Sequence, residues 1–253
     1  MNDLLVATHQ IRYEQKAYWR NPMAAVFTLM FPVVFLVVVG TSAGGSAVPG
    51  TTLRYDQYTV VAMLTFGLIA ACYTNLGIAI CLRRESGVLK RMRGTPIAIG
   101  SYVGGIIGSV IINVAVLTVL VVGIGMSFYH LHFPVHLLAT VVTLLVGIVT
   151  FCALGLAVTT IVPNADAAPA VINGIYFPII FISGVFYPLS NGSVLSRIAD
   201  YFPIRHMMTA LVSAFEGGPG SGLRAGDLLV MLVWAAAALF VTARRFKWEP
   251  KHR

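Results

Sequence analysis

The side chains of this sequence that could do chemistry are few, and their spacing constrains each. His130, His132 and His136 stand close enough along the chain to offer imidazole nitrogens to a metal. No Asp, Glu or Cys lies in the same stretch to complete a coordination shell, so a solvated loop is the competing reading. Cys72, Cys81 and Cys152 are odd in number and lie in or beside apolar runs, which offers neither a disulfide framework nor a zinc spacing. Ser183, in "ISGVF", lacks the glycine two residues earlier that a strained nucleophile turn needs. None of the four lysines (Lys16, Lys90, Lys247, Lys251) follows a glycine, so no phosphate-cradling Gly-Lys-Ser/Thr loop exists. The sequence therefore predicts no catalytic residue, and neither a metal nor a cofactor held by the chain itself.

The elements around these residues are membrane helices. Of 253 residues 58% are hydrophobic and only 10% charged, and the mean hydropathy is +0.85, well above soluble averages. The predicted fold is an all-α integral membrane protein in one domain, residues 1–253. Residues 1–22 read as an interfacial amphipathic helix, with Leu4, Ala7, Ile11 and Tyr18 near one face. Six spans follow, at 23–40, 58–82, 100–128, 137–162, 167–187 and 226–243. A cleavable leader competes for the first run, but its apolar core is long and the segment before it is mixed in charge. Between spans five and six, "VLSRIADYFPIRHMMTALVSAF" (Val194 to Phe215) is too interrupted by charge to cross a bilayer and too apolar for a free loop, which predicts a re-entrant or surface-lying helical pair.

Charge sets the orientation. Thirteen of the seventeen Lys and Arg fall in the N-terminal segment, the connection between spans two and three, and the C-terminal tail; Arg54, Arg197, Arg205 and Arg224 fall on the other side. By the positive-inside rule both termini are cytoplasmic, and the net charge of +8 implies no nucleic acid. Counting the last span from Leu228, with Asp227 at its edge, the predicted spans hold no Asp, Glu, Lys, Arg or His, so no titratable group deep in the membrane is present to couple an ion to a cargo. Energy for transport would have to enter through the cytoplasmic surface. The polar groups within the spans are Tyr73, Thr74 and Asn75, then Asn113, then Asn173, Tyr176 and Ser183. Interhelical hydrogen bonding, about 0.6–2 kcal/mol each, is one role. Lining a pathway is the other, and it makes Tyr73, Thr74, Asn75, Asn173, Tyr176 and Ser183 the candidate substrate contacts. Gly100, Gly104 and Gly108 form a small-residue ladder expected to pack helix on helix.

Three stretches together resemble one family. "RRESGVLKRMRGTPI" (Arg83 to Ile97) is similar to a cytoplasmic E-x-G-x-L-x-R-x-x-x-T-P segment through Glu85, Gly87, Leu89, Arg91, Thr95 and Pro96, with Val88 where Thr is more usual. Leu154 to Ser190 ends in a Ser-Gly-aromatic-Pro pattern (Ser183, Gly184, Phe186, Tyr187, Pro188), and "YFPIRHMMTAL" (Tyr201 to Leu211) precedes the last span. In this order they resemble the type-2 ABC transporter permeases, six-span subunits of bacterial drug, lipid and polysaccharide exporters. The resemblance implies a non-enzymatic subunit in the bacterial plasma membrane. ATP and Mg would be bound by a separate ATPase partner, a second permease would complete a homo- or heterodimer, and lipids would surround the spans. It also implies a cytoplasmic coupling helix in which Glu85, Gly87, Val88, Leu89, Lys90, Arg91, Met92 and Arg93 meet the ATPase, with Val88, Leu89 and Met92 as apolar anchors inside a charged rim. Arg83 and Arg84 are expected only to anchor at anionic headgroups, about 1 kcal/mol each. The cargo implied is an amphipathic drug-like or lipid-linked molecule moved outward. A membrane scaffold or sensor sharing the fold is the reading from another class, and a stand-alone carrier is disfavoured by the uncharged spans.

Overall fold

A computed structural model describes residues 3–43, 45–94, 99–189, 192–216 and 220–246. Thr95, Pro96, Ile97, Ser190, Lys247, Lys251 and Arg253 lie outside the described residues, as does the side chain of Arg93. Among the described residues all regular structure is helical: α1 (Asp3–Trp19), α2 (22–43), α3 (Tyr55–Glu85), α4 (Val88–Arg93), α5 (Ile99–Phe128), α6 (Leu137–Val158), α7 (Ala168–Ile182), α8 (Val194–Ala199), α9 (Pro203–Phe215) and α10 (Ala225–Arg245).

Among the described residues four helices are long and apolar enough to cross a membrane: Tyr55–Glu85, Tyr102–Phe128, Leu137–Val158 and Ala225–Arg245. Two more apolar stretches, Thr28–Ser42 in α2 and Ala168–Ile182, are shorter. The last is shorter than the expected run of 167–187 because the backbone turns away there. Ser183 caps α7 and Gly184 takes φ +83, a left-handed conformation that side chains with a Cβ rarely adopt. The expected fourth span stops at Val158 rather than 162, where Thr159 and Thr160 fold their hydroxyls back onto the Leu156 and Ala157 carbonyls.

Buried α3 is the centre of the packing, with α2, α5, α6 and α9 around it. Two helices carry wide π turns. Val26–Met30 lies in α2 just before Pro32, and the Phe31 amide reaches back to the Val26 carbonyl. The wider turn relieves the clash a proline ring would make with the carbonyl four residues earlier. Ala70–Asn75 lies in α3 and holds Tyr73, Thr74 and Asn75. The two turns are tied together, since Asn75 Nδ2 donates to Thr28 Oγ1.

The glycine ladder packs with a register other than the expected one. Gly100 and Gly104 have nothing within 4 Å of a built Cβ, whereas a Cβ at Gly105 or Gly108 would meet Gln10 or Ile11 at 2.4 and 2.6 Å. The close partner is therefore α1. Gln15 completes that contact by donating to the Ser109 carbonyl and hydroxyl, each at 2.9 Å, and to Asn113 Oδ1 at 3.0 Å. Helices α8 and α9 are 6 and 13 residues long, too short to cross a bilayer. The turn between them is fastened to α10: His206 bridges Asp227 Oδ1 (2.6 Å) and the Asp200 carbonyl (2.8 Å), and Trp234 Nε1 donates to the Tyr201 carbonyl (3.0 Å).

Candidate coupling surface and aromatic cavity

At the end of α3 three consecutive residues tie the helix to α1, to α5 and to the link between α6 and α7. Arg83 forks onto Glu14 of α1, with Nη1–Oε1 at 2.8 Å, and also donates to the Tyr102 hydroxyl at 3.1 Å. This bidentate geometry is among the strongest available to a guanidinium. Arg84 is 1% exposed and donates to the carbonyls of Thr159 and Val162, each at 2.9 Å. Its charge sits at the C-terminal end of α6, where orphan carbonyls and the helix dipole favour a cation. Glu85 accepts from the Ala165 amide at 3.0 Å, in the link between α6 and α7. The expectation that Arg83 and Arg84 merely sit at lipid headgroups is thus wrong: both guanidiniums are used up inside the chain.

The chain then reverses through Ser86 and Gly87, where φ is +70. A side chain at Gly87 would strain that left-handed turn. The short helix α4 that follows presents two faces. Leu89 is 1% exposed and belongs to the core, and Met92 packs against it. Val88, Lys90 and Arg91 are exposed, and Arg91 Nη2 reaches back to the Ser86 carbonyl at 3.2 Å. Of the three apolar residues expected to face a partner, only Val88 faces outward; three- and four-residue spacing places Leu89 and Met92 together on the inner side.

Toward the middle of α3, aromatic rings from α2, α3, α7 and the chain just after α7 converge. Tyr73 and Tyr176 lie 5.9 Å apart between centroids, Phe66 and Tyr176 6.2 Å, Phe66 and Phe186 6.0 Å, and Phe31 and Phe66 5.1 Å. Beside them a cavity of about 300 Å³ opens between α3, α6, α7, α9 and α10. Its walls are nearly all apolar, with Tyr73, Tyr176, Phe151, Phe202, Ile175 and Trp234 prominent. Such a chamber suits the apolar part of a ligand. The Tyr176 hydroxyl and the Thr74 Oγ1 are buried and have no hydrogen-bond partner among the described residues.

With this geometry in place, a family model described as ABC-2 type transporter matches residues 9–215, most of the chain. The chain belongs to the ABC-2 type transporter family. No curated protein matches it. Membership together with the apolar helices makes this a multi-pass membrane protein of an ABC transporter.

In this ABC-2 chain the candidate pathway residues are only partly brought together. Tyr73 and Tyr176 share the cavity wall, and Thr74 and Asn75 lie in the adjoining π turn, Asn75 engaged by Thr28. Asn173 is half-buried on α7 and does not line that cavity. Ser183 is fully buried and its hydroxyl donates to the Ile179 carbonyl at 2.6 Å, which accounts for it without a ligand. Phe66, Phe151 and Trp234 were missed by sequence reasoning, since an aromatic in an apolar span carries no signal of which way it points. Among the described residues no three His, Cys, Asp or Glu side chains converge as a metal site would need, so His130, His132 and His136 do not form one cluster. The His136 amide instead donates to the Ala214 carbonyl at 3.2 Å.

Proposed function

We propose that this chain is the membrane subunit of an ATP-driven exporter, crossing the bacterial plasma membrane six times with both termini cytoplasmic. It would pair with a second permease and with two ATPase subunits, which bind the ATP and Mg. The observation that carries this reading is the outward face of α4, with Val88, Lys90 and Arg91 exposed at the end of a buried helix that is clamped to its neighbours. A displacement imposed on α4 reaches α1 through Arg83 and Glu14, and the α6–α7 link through Arg84 and Glu85. The same helix carries Tyr73 on the cavity wall, so movement at the ATPase would reach the chamber that would take the apolar part of an amphipathic cargo.

The test is co-purification and ATP hydrolysis with the ATPase subunit for Val88→Asp and Arg91→Glu. Both sites are exposed, so thermal stability of the chain alone should hold while partner recovery falls about tenfold or more, as wrong-sign contacts cost several kcal/mol. Full recovery and full hydrolysis in both variants would refute the coupling assignment. Intact complexes whose hydrolysis no cargo stimulates would favour a scaffold or sensor.

A further inference from the structure

A second cavity, of about 320 Å³, lies near the first residues of α3, bounded by residues 48–51, Tyr58, the chain after α7 and one side of α9. The 31 residues of α3, at 1.5 Å each, put it roughly 45 Å from α4. Helix α9 is built for two environments. Ile204, Met207, Leu211 and Phe215 are buried away from the cavity, whereas Arg205, Thr209, Ser213 and Glu216, spaced by three or four residues, border it.

Most of the charge in this cavity is paired. Asp227 receives His206 on one oxygen and Arg224 Nε at 3.0 Å on the other, and Glu216 Oε1 accepts the Thr52 amide at 3.0 Å. Arg205 is the exception. Its side chain is 16% exposed, yet its guanidinium donates no hydrogen bond to any described residue, and the nearest carboxylate oxygen, on Asp200, is 3.7 Å from Nε. That is beyond hydrogen-bond reach, and Asp200 itself is 57% exposed. The guanidinium is admitted by Gly184, where a Cβ would stand 3.1 Å from Nη1. Arg205 borders the cavity, where its five donors have room for an acceptor. A simple anion would also meet the carboxylates of Asp200, Glu216 and Asp227, and a simple cation would meet Arg205 and Arg224. A molecule carrying both charges satisfies the loose pair from both sides.

We propose that this cavity binds a small zwitterion, its anionic oxygens on the Arg205 guanidinium and its primary ammonium on the Asp200 carboxylate, with phosphoethanolamine as the matching chemistry. The site needs neither the ATPase nor a second copy, so it stands independently of the transport reading. The experiment is a thermal-shift titration of the purified full chain with O-phosphoethanolamine, phosphocholine and glycerol phosphate, repeated in nanodiscs of phosphatidylethanolamine, phosphatidylcholine or phosphatidylglycerol. Saturable stabilisation by the ethanolamine form is expected, at least about tenfold tighter than by the other two, because a quaternary ammonium cannot donate hydrogen bonds and an alcohol lacks the charge. Asp200→Asn and Arg205→Gln should each weaken it about 10- to 100-fold, and Arg205→Lys, which keeps the charge but loses the fork, should weaken it less than Gln. A response to the soluble compound identifies a free zwitterion, and one confined to ethanolamine nanodiscs identifies a lipid headgroup. Equal responses to all three headgroups, or an ethanolamine response that Asp200→Asn and Arg205→Lys leave unchanged, would overturn the proposal.

Discussion

Replacing Arg84 by Met separates the clamp from a lipid anchor. Methionine fills much of the same space but cannot donate, so the variant loses both 2.9 Å bonds and leaves the Thr159 and Val162 carbonyls without that donor. Hydrogen bonds from a charged donor are worth about 1.5–3 kcal/mol each, which bounds the loss near 6 kcal/mol. Removing a guanidinium that is 1% exposed also relieves its desolvation cost, so the net destabilisation should be about 2–4 kcal/mol. For a chain of this size that lowers Tm by roughly 5–15 °C. Thermal unfolding in nanodiscs, followed by a dye that reports newly exposed cysteines, reads this directly, since Cys72, Cys81 and Cys152 are buried. Arg84→Lys should recover less than half of the loss, because one ammonium does not reproduce a planar fork. A Tm for Arg84→Met within 1 °C of wild type, in neutral and anionic nanodiscs alike, would refute the clamp.

Tyr176→Phe removes a buried hydroxyl that has no partner among the described residues, so Tm should hold or rise slightly while cargo-stimulated ATP hydrolysis falls; a lower Tm with unchanged stimulation would make the hydroxyl structural. His206 has its pKa raised above 6.5, first by its bond to Asp227 and further by the Asp200 carbonyl and carboxylate, with burial opposing. A native pKa above the unfolded value means that the stabilisation is complete below about 6.5 and is lost as pH rises through the native value. The Tm difference between wild type and His206→Gln should therefore shrink from pH 6 to pH 9, and a difference that grows would contradict the sign. For orientation, Lys90→Cys should react with impermeant reagents only in inverted vesicles and Thr51→Cys only in intact cells; labelling of Lys90→Cys in intact cells would reverse the topology.

The sequence and the structure agree best where hydropathy alone decides. The apolar runs of α5, α6 and α10 were legible because some twenty or more apolar residues have few other places to go. Ends were less legible, since α7 stops just before a left-handed Gly184 and α6 stops where Arg84 gathers the carbonyls just beyond it, and neither signal lies in the pattern of apolar residues. The cluster Arg83 to Arg93 was legible as charge but not as contacts. Arg83 finds Glu14 at a separation of 69 residues, and Arg84 finds Thr159 at 75, distances along the chain that no local pattern encodes. Leu89 and Val88 are equally apolar neighbours, and only the packing of α4 decides that one points in and the other out. Likewise Gly105, outside the expected ladder, makes the close approach to α1.

The central claim, that the outward face of α4 meets an ATPase, is tested most directly by photocrosslinking from single positions of that helix in native membranes. A crosslinker at Val88 or Arg91 should capture a nucleotide-binding ATPase subunit, and one at Leu89, which faces the chain's own core, should not. Capture of that subunit from position 89 but from neither 88 nor 91, or from none of the three, would contradict the account.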